Sequence, residues 1–392
     1  VVMISEDREI YSRCMLHKYI AGERDAAGLN FINDDVLSSP RVQWIRGKTI
    51  TRLEGTTVYA GDEPAASGDR ILIATGANSV TPPIGELRVA KNAFGLRHLA
   101  DARAIAEAAK SAREIAVIGA GLVGLDAVSG LLEQGKKLGL ARKITVIEMA
   151  PAALAINLDA HAAEAYQRLF EKEGVVFHLG RKVVNTQSAP APASGLTISA
   201  LEMDNGLSVP CDLVILAVGV RPAAAWLEGS GVELTERKAV KVDDYLAASV
   251  PGVYAAGDAA GLSGIWPNAV KQGEMAGLNM CGVGWKYDDR FALKNTVNFF
   301  GLLSLSLGAI NPREGDEVLV KEDRHNYRKL ILRDGLVQGI ILQGEIGGSG
   351  FWQYLIKNRI PLGKLGKNPW KLSYADFFGA WDNGEYKWVI PA

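Results

Sequence analysis

At 392 residues, with 43 Lys and Arg against 44 Asp and Glu, the chain carries a formal net charge of −1, which gives no electrostatic case for nucleic acid or an anionic membrane. Its length allows two or three domains with a sizeable core, and 48% hydrophobic with 22% charged residues is ordinary for a globular protein. No apolar run approaches the roughly 20 residues that span a bilayer. The three cysteines (Cys14, Cys211, Cys281) lie too far apart for a metal pattern or a Cys-x-x-Cys dithiol, so a cytoplasmic, reducing setting is expected.

Taken in order, Val1 to Ile4 reads as a strand, and Ser5, Glu6 and Asp7 look like the acidic end of the second strand in a βαβ unit. No first strand or glycine turn precedes it, so about 30 residues of such a unit are expected to have been omitted from the chain as it stands. Tyr11 to Gly22 reads as a loop running into a short helix. Val42 to Trp44, Thr49 to Leu53 and Thr56 to Tyr59 read as a meander, and Asp69 to Gly76 as a buried strand ending in a small-residue turn. Pro82 and Pro83 mark a crossing, and Asp101 to Lys110 is an alanine-rich helix.

The stretch from Glu114 to Glu148 organises the rest. A short apolar run, Ile115 to Ile118, enters a Gly-x-Gly-x-x-Gly turn at Gly119, Gly121 and Gly124. A helical pattern follows (Leu125, Val128, Leu131, Leu132), then a second apolar run, Ile144 to Ile147, that ends at Glu148. Each part has a job in a dinucleotide site. Gly119 permits the tight turn, Gly121 lets the backbone approach a pyrophosphate, and Gly124 lets helix and strand pack closely. The turn with Leu122 and Val123 then presents free N–H groups and a positive dipole end to phosphate. Glu148 stands where a carboxylate accepts from the adenosine ribose hydroxyls and repels a 2′-phosphate, which favours NADH over NADPH. Lys136 to Lys143 lengthens the connection, so Glu148 comes a few residues later than usual.

Beyond it, Asp159 to Gly174 reads as a helix, Val175 to Leu179 as a strand, and Ser188 to Ser194 as part of a polar loop. Leu196 to Met203 and Leu207 to Val209 follow as strands. Asp212 to Gly219 repeats the pattern of Asp69 to Gly76, which suggests two related dinucleotide-binding domains, one interrupting the other. Gly219 joins the candidate cofactor residues on that ground. Gly252 to Asp258 closes the interruption, and Asp258 reads either as a turn or helix cap or as a cofactor ligand. From about Phe291 the strands Glu317 to Lys321, Tyr327 to Leu332 and Val337 to Leu342, with the helix Gly350 to Asn358, suggest a separate α+β domain. His17, His98, His161, His178 and His325 show no metal-ligand spacing, so no metal is expected.

These pieces together resemble the FAD-dependent pyridine nucleotide-disulfide oxidoreductase family, from Val1 to about Pro312 and more weakly beyond. Within it, YSRCMLHKYIAG, VKQGEMAGLNMCG and NTVNFFGLLSLSLG look most like NADH:rubredoxin reductases and the flavin segment of assimilatory nitrite reductases. The resemblance implies an α/β fold with an FAD-binding domain in two parts (1–108 and 239–312), an NAD(H)-binding domain (109–238) between them, and a C-terminal α+β domain (313–392). It implies that Glu6 binds the FAD adenosine ribose, that Arg13 and Lys18 neighbour the flavin or its phosphates, and that Ala74, Thr75 and Gly76 form a second FAD-contacting turn. Gly257 and Asp258 look like the family's flavin motif, Trp266, Pro267 and Asn268 like residues lining the isoalloxazine edge, and Asp126 stands in place of a family glutamate near the nicotinamide. The first glycine turn of the family, which holds the FAD pyrophosphate, is missing from the sequence.

The resemblance implies that electrons pass from NADH through FAD to a rubredoxin, ferredoxin or iron–sulfur subunit, from a homodimer or a complex subunit. Two rivals stay open. Cys14 resembles the single redox cysteine of NADH peroxidases, NADH oxidases and CoA-disulfide reductases, and Arg13 and Lys18 are expected to lower its pKa. The chain is otherwise an NAD(H)-binding or structural subunit with a degenerate flavin site. Cys211 and Cys281 read as small core residues. The aromatic tail, from Trp370 through Tyr374, Phe377, Phe378, Trp381 and Tyr386 to Trp388, is expected to pin itself on its own domain rather than on a partner.

Overall fold

Ile115, Ala116 and Val117 are each at most 1% exposed. Burial of consecutive residues means that both faces of the strand Glu114–Ile118 are covered, as expected of an inner parallel strand. Lys143–Glu148 lies beside it with Lys143 opposite Glu114, Leu213–Leu216 lies on its other side, and Ala93–Gly95 beyond that, all parallel. Parallel neighbours need long crossovers, and the helix Leu122–Leu138 supplies the one after the glycine turn. The computed structural model describes residues 1–32, 34–191, 195–289, 294–362 and 368–388.

The chain forms two units. The first, Val1–Gly119, Val123–Ile147 and Lys182–Ala292, contains this layer and two further parallel pairs. Val2–Ser5 pairs with Gln43–Arg46, and Ile71–Ile73 with Val253–Ala255. The second pairing joins strands from either side of the glycine-turn layer in sequence, so that layer is an insertion, as the echo of Asp69 to Gly76 in Asp212 to Gly219 suggested. The segment at Val42 to Trp44 does not belong to the meander. The antiparallel meander is Arg52–Glu54, Thr57–Ala60 and Glu63–Ser67, while Gln43–Arg46 satisfies its backbone against Val2–Ser5. The polar loop placed at Ser188 to Ser194 is also corrected. Strand Val183–Ala191 runs well into it, because Ser188 to Ala191 pair with Gly195 to Ile198, and 192–194 lie outside the described residues. Cys211 is buried in the core with Leu201, Val214 and Ile118, but Cys281 is exposed rather than packed.

The second unit, Ala120–Leu122, Glu148–Arg181 and Leu293–Ala392, is built on an antiparallel sheet. Its strands run Lys294–Phe299, Leu302–Gly308, Leu336–Gln343, Tyr327–Arg333 and Glu317–Glu322 across the sheet. The sheet therefore takes in residues well before the boundary drawn at 313. The helix Ala160–Lys172 packs on it through Tyr166 and Phe170, both fully buried, and the Phe170 ring meets Phe299 and Phe300 edge-on at 5.2 and 4.8 Å. Asp159 caps this helix by accepting the Ala162 N–H at 3.0 Å and also accepts from Lys329 Nζ at 2.9 Å and the Tyr327 hydroxyl at 2.7 Å. Burial works against its charge, but those donors hold the carboxyl below its ordinary range. The tail is pinned at Phe377, fully buried against Phe351, and at Trp370, which meets Trp352 edge-on, whereas Trp381 is exposed. The side chains of Phe378, Tyr386 and Trp388 lie outside what is described. The architecture is thus α/β, with two dinucleotide-binding parts and a C-terminal α+β domain. Among the described residues no helix is long and apolar enough to cross a membrane, and no cluster of ligands suits a metal ion.

Candidate active site

Gly119 has a φ of +107°, and a Cβ there would meet the backbone carbonyl of Ala217, at the end of the neighbouring strand. Its N–H is donated to Ile147 at 2.8 Å. A Cβ at Gly124 would overlap the Gly119 carbonyl, so helix and strand meet backbone to backbone. At Gly121 the opposite holds. Nothing lies within 4 Å of where its Cβ would be, which leaves the open backbone approach that a pyrophosphate would need. Gly219, with a φ of +113° and equally open space, lies past the neighbouring strand, while Leu122 opens the helix and Val123 is exposed.

The Glu148 carboxylate is held by two backbone donors, the Ala120 N–H to Oε2 at 2.8 Å and the Ala150 N–H to Oε1 at 2.7 Å. Each oxygen keeps lone-pair capacity for a vicinal ribose hydroxyl. The open backbone at Gly121, the helix start at Leu122 and the free lone pairs of Glu148 fit the requirements of an NAD(H) nucleotide.

Of the residues expected at the flavin, Ala74, Thr75 and Gly76 form the turn after Ile71–Ile73, and Gly257 and Asp258 the turn after its parallel partner Val253–Ala255. Ligands of open parallel sheets bind outside such carboxyl ends. Thr75 ties this turn down by donating to the Ala223 carbonyl at 2.7 Å. The Asp258 carboxylate accepts from Arg97 at 2.5 Å, and Arg97 Nε is donated to the Ala77 carbonyl at 2.9 Å. A cavity of about 590 Å³ opens at Asp258, Ala77 and Arg237, and Asp258 is the one residue of the expected flavin set that lines it. Buried Gln272 fixes the same turn, accepting the Gly257 N–H at 2.8 Å while its amide is donated to the Tyr287 hydroxyl at 3.1 Å. Trp266, Pro267 and Asn268 open the helix Trp266–Met280, where Trp266 is exposed and meets Phe31 edge-on at 5.7 Å.

Other expected contacts go elsewhere. Glu6 is exposed at the end of Val2–Ser5, and its neighbour Asp7 is the anchored carboxylate. Against a desolvation that favours the neutral form, the His98 ring, the Tyr11 hydroxyl and the Arg13 guanidinium hold Asp7 down to about 2. Arg13 is spent on Asp7 at 3.2 Å and Tyr11 at 2.8 Å, and Lys18 on Glu23 at 2.8 Å. Cys14 is exposed, yet its thiol is raised rather than lowered. Desolvation leads, the carboxylates of Asp126 and Asp258 add to it, and Arg97 opposes them. The expected activation by Arg13 and Lys18 fails because both cations are turned to carboxylates of their own. Arg97, Gln272 and Asp7 were missed in the sequence. The signal for Arg97 was faint: Asp101, three residues past His98, accepts both the Arg97 and the His98 N–H and so fixes the helix start that presents Arg97.

Asp126 and His17 approach to 3.8 Å, too far for a hydrogen bond, and His17 Nδ1 finds no partner. Burial pushes Asp126 up to about 7, with Lys18 pulling the other way. Burial, aided by the Lys18 charge, pushes His17 down to about 4. Asp126, raised in the folded chain, adds stability that is complete below its ordinary 3.8 and lost as pH rises to about 7. His17, depressed in the folded chain, adds stability that is complete above its ordinary 6.5 and lost as pH falls to about 4. The two trends oppose each other, so each variant unmasks the other residue. Thermal denaturation of Asp126→Asn should show stability climbing from pH 4 to 6.5 more steeply than in the parent, and His17→Gln should show it falling. Solvent reaches 31% of the Asp126 side chain, which limits the size of the effect and leaves its direction. Parallel profiles for all three proteins would contradict this pairing of neutral groups.

Residues 1–273 match the pyridine nucleotide-disulphide oxidoreductase family, and residues 294–360 match the rubredoxin NAD+ reductase C-terminal domain. The chain is 28% identical over 381 residues to the epsilon subunit of the NADH-dependent phenylglyoxylate dehydrogenase of Aromatoleum evansii, covering 93% of this chain and 87% of that one. It is 27% identical over 350 residues to a nitrite reductase [NAD(P)H] of Bacillus subtilis, covering 87% of this chain but only 42% of that protein. The chain thus spans less than half the length of that relative. Among solved structures, the NADH:rubredoxin oxidoreductase of Clostridium acetobutylicum shares the fold with a TM-score of 0.74 at 19% identity, over 91% of this chain and 88% of that one. The chain belongs to the pyridine nucleotide-disulphide oxidoreductase family of NAD(P)H-dependent flavoproteins, with FAD and NAD(H) as its cofactors.

Proposed function

We propose that the chain carries electrons from NADH through FAD to an iron–sulfur or rubredoxin-type protein. The observation that carries this reading is the match of residues 294–360 to the C-terminal domain of rubredoxin NAD+ reductases. The raised thiol of Cys14 supports it from the other side, since a thiol-dependent route needs thiolate at working pH. FAD, when bound, supplies the conversion of a two-electron hydride into single electrons. The chain's own residues bind and orient. Glu148 takes the adenosine ribose and disfavours a 2′-phosphate, Gly121 admits the pyrophosphate, and Asp258 and Arg97 hold the flavin's polar chain. In this reading 1–108 and the segment from 239 hold FAD, 109–238 holds NAD(H), and the C-terminal domain starts at Lys294, where its sheet starts.

The test is NADH-driven reduction of a rubredoxin by the parent and by Cys14→Ser. The variant is expected to keep turnover within about twofold, because an exposed thiol held protonated contributes little to electron transfer. Loss of turnover with flavin reduction intact would instead assign Cys14 a redox role and sink the reading.

A further inference from the structure

We infer that Ser306, on the C-terminal sheet, tunes affinity for the adenosine end of NADH by positioning Glu148. The inference rests on the reading above that Glu148 receives the ribose. It stands on a continuous run of hydrogen bonds inside the second unit. The Ser306 hydroxyl, 1% exposed, is donated to the Asn157 carbonyl at 2.6 Å. The Asn157 N–H is donated to the Leu154 carbonyl at 2.7 Å, and the Leu154 N–H to the Ala120 carbonyl at 2.9 Å. The Ala120 N–H, finally, is donated to Glu148 Oε2 at 2.8 Å. Ala120 sits inside the glycine turn itself, between Gly119 and Gly121.

Leu154 marks this run as more than packing. It has a φ of +53° and is 1% exposed. A left-handed leucine persists only where its surroundings over-determine it. Its carbonyl accepts from both Asn157 and Leu158, so the strained turn and the Asn157 peptide move together. The Asn157 side-chain oxygen is buried without a hydrogen-bond partner, so that side-chain atom offers the segment no second hold. Two residues on, Asp159 is fastened to Lys329 and Tyr327. The C-terminal sheet therefore grips this segment at Ser306 and again at Asp159, and the free end of the grip is the ribose carboxylate. Without the Ser306 hydroxyl, Leu154 can relax toward an ordinary backbone and release Ala120. Glu148 then spends less time in the binding geometry, and apparent affinity falls in proportion to that fraction. Ser306 is a positioning residue, because it acts on Glu148 through Asn157, Leu154 and Ala120.

The experiment compares Ser306→Ala, Ser306→Cys and Glu148→Ala in the FAD-loaded full chain, with NADH and with reduced nicotinamide mononucleotide, which lacks the adenosine ribose. Ser306→Ala should raise the KM for NADH about fivefold or more. Its kcat and flavin content should stay near the parent's, and its KM for the mononucleotide should not change. Ser306→Cys, with a weaker donor of similar size, should fall between, which guards against a misfolded alanine variant. Glu148→Ala separates the two ideas. A rise in NADH KM for Glu148→Ala with none for Ser306→Ala overturns the role of Ser306 alone. No rise for Glu148→Ala overturns the ribose assignment and this inference with it. An equal rise with the mononucleotide for Ser306→Ala, or loss of flavin, marks a merely structural residue and also overturns it.

Discussion

Alanine at Gly124 is expected to lower kcat/KM for NADH on the order of 100-fold, with a raised KM, while the flavin stays bound. The new Cβ would overlap the Gly119 carbonyl and come within 3.3 Å of the Ala217 side chain, and a backbone carbonyl has no rotamer to escape into. Overpacking of this kind costs about 1–3 kcal/mol. The greater loss is geometric. Pushing the helix off the strand moves the pyrophosphate turn, and a shift of about 1 Å can cost on the order of 100-fold in rate. The Asp258 and Gln272 contacts that shape the flavin turn do not run through this helix. Titrating NADH against flavin-loaded Gly124→Ala checks the point, and a KM within about twofold of the parent would contradict it.

The second large effect is expected at Asp258. It forms a close pair with Arg97 in which each side chain is 19% exposed, and Asp258 lines a cavity beside the turn proposed to hold the flavin. Hydrogen bonds to charged groups contribute about 1.5–3 kcal/mol, so Asp258→Ala should lower FAD affinity about ten- to a hundredfold. It should also destabilise the chain by leaving the Arg97 guanidinium half-buried without its carboxylate. The double variant Arg97→Ala/Asp258→Ala removes that stranded charge. It should recover much of the melting temperature and none of the flavin. The flavin-to-protein ratio and thermal melts of the three proteins are the measurements. Full flavin occupancy in Asp258→Ala would contradict the placement of the cofactor.

Parts of the site dictated by backbone geometry were legible from the sequence. Gly119 and Gly124 are glycine because a Cβ meets a carbonyl, and Glu148 ends a strand whose neighbours are fixed by the same turn. What could not be read depends on where side chains point after folding. Arg13 and Lys18 flank Cys14 in sequence, which suggested an activated thiol, but their charges face Asp7 and Glu23. Arg97 reaches Asp258 across 161 positions, and Gln272 reads as one polar residue among several on its helix until its burial is seen. The C-terminal sheet was half legible. Glu317 to Leu342 read as three strands, while Lys294–Phe299 and Leu302–Gly308 were absorbed into the flavin part by resemblance, although they pair in one sheet with Leu336–Gln343.

The most direct test of the whole account is an anaerobic titration of the purified chain with NADH, followed by its visible absorbance. Transfer of hydride from NADH to a flavin held by this chain, as proposed, predicts a yellow protein whose flavin band bleaches in proportion to the NADH added. NADPH should need far higher concentrations for the same bleaching, because of Glu148. A colourless protein, or a flavin that stays oxidised in excess NADH, would contradict it.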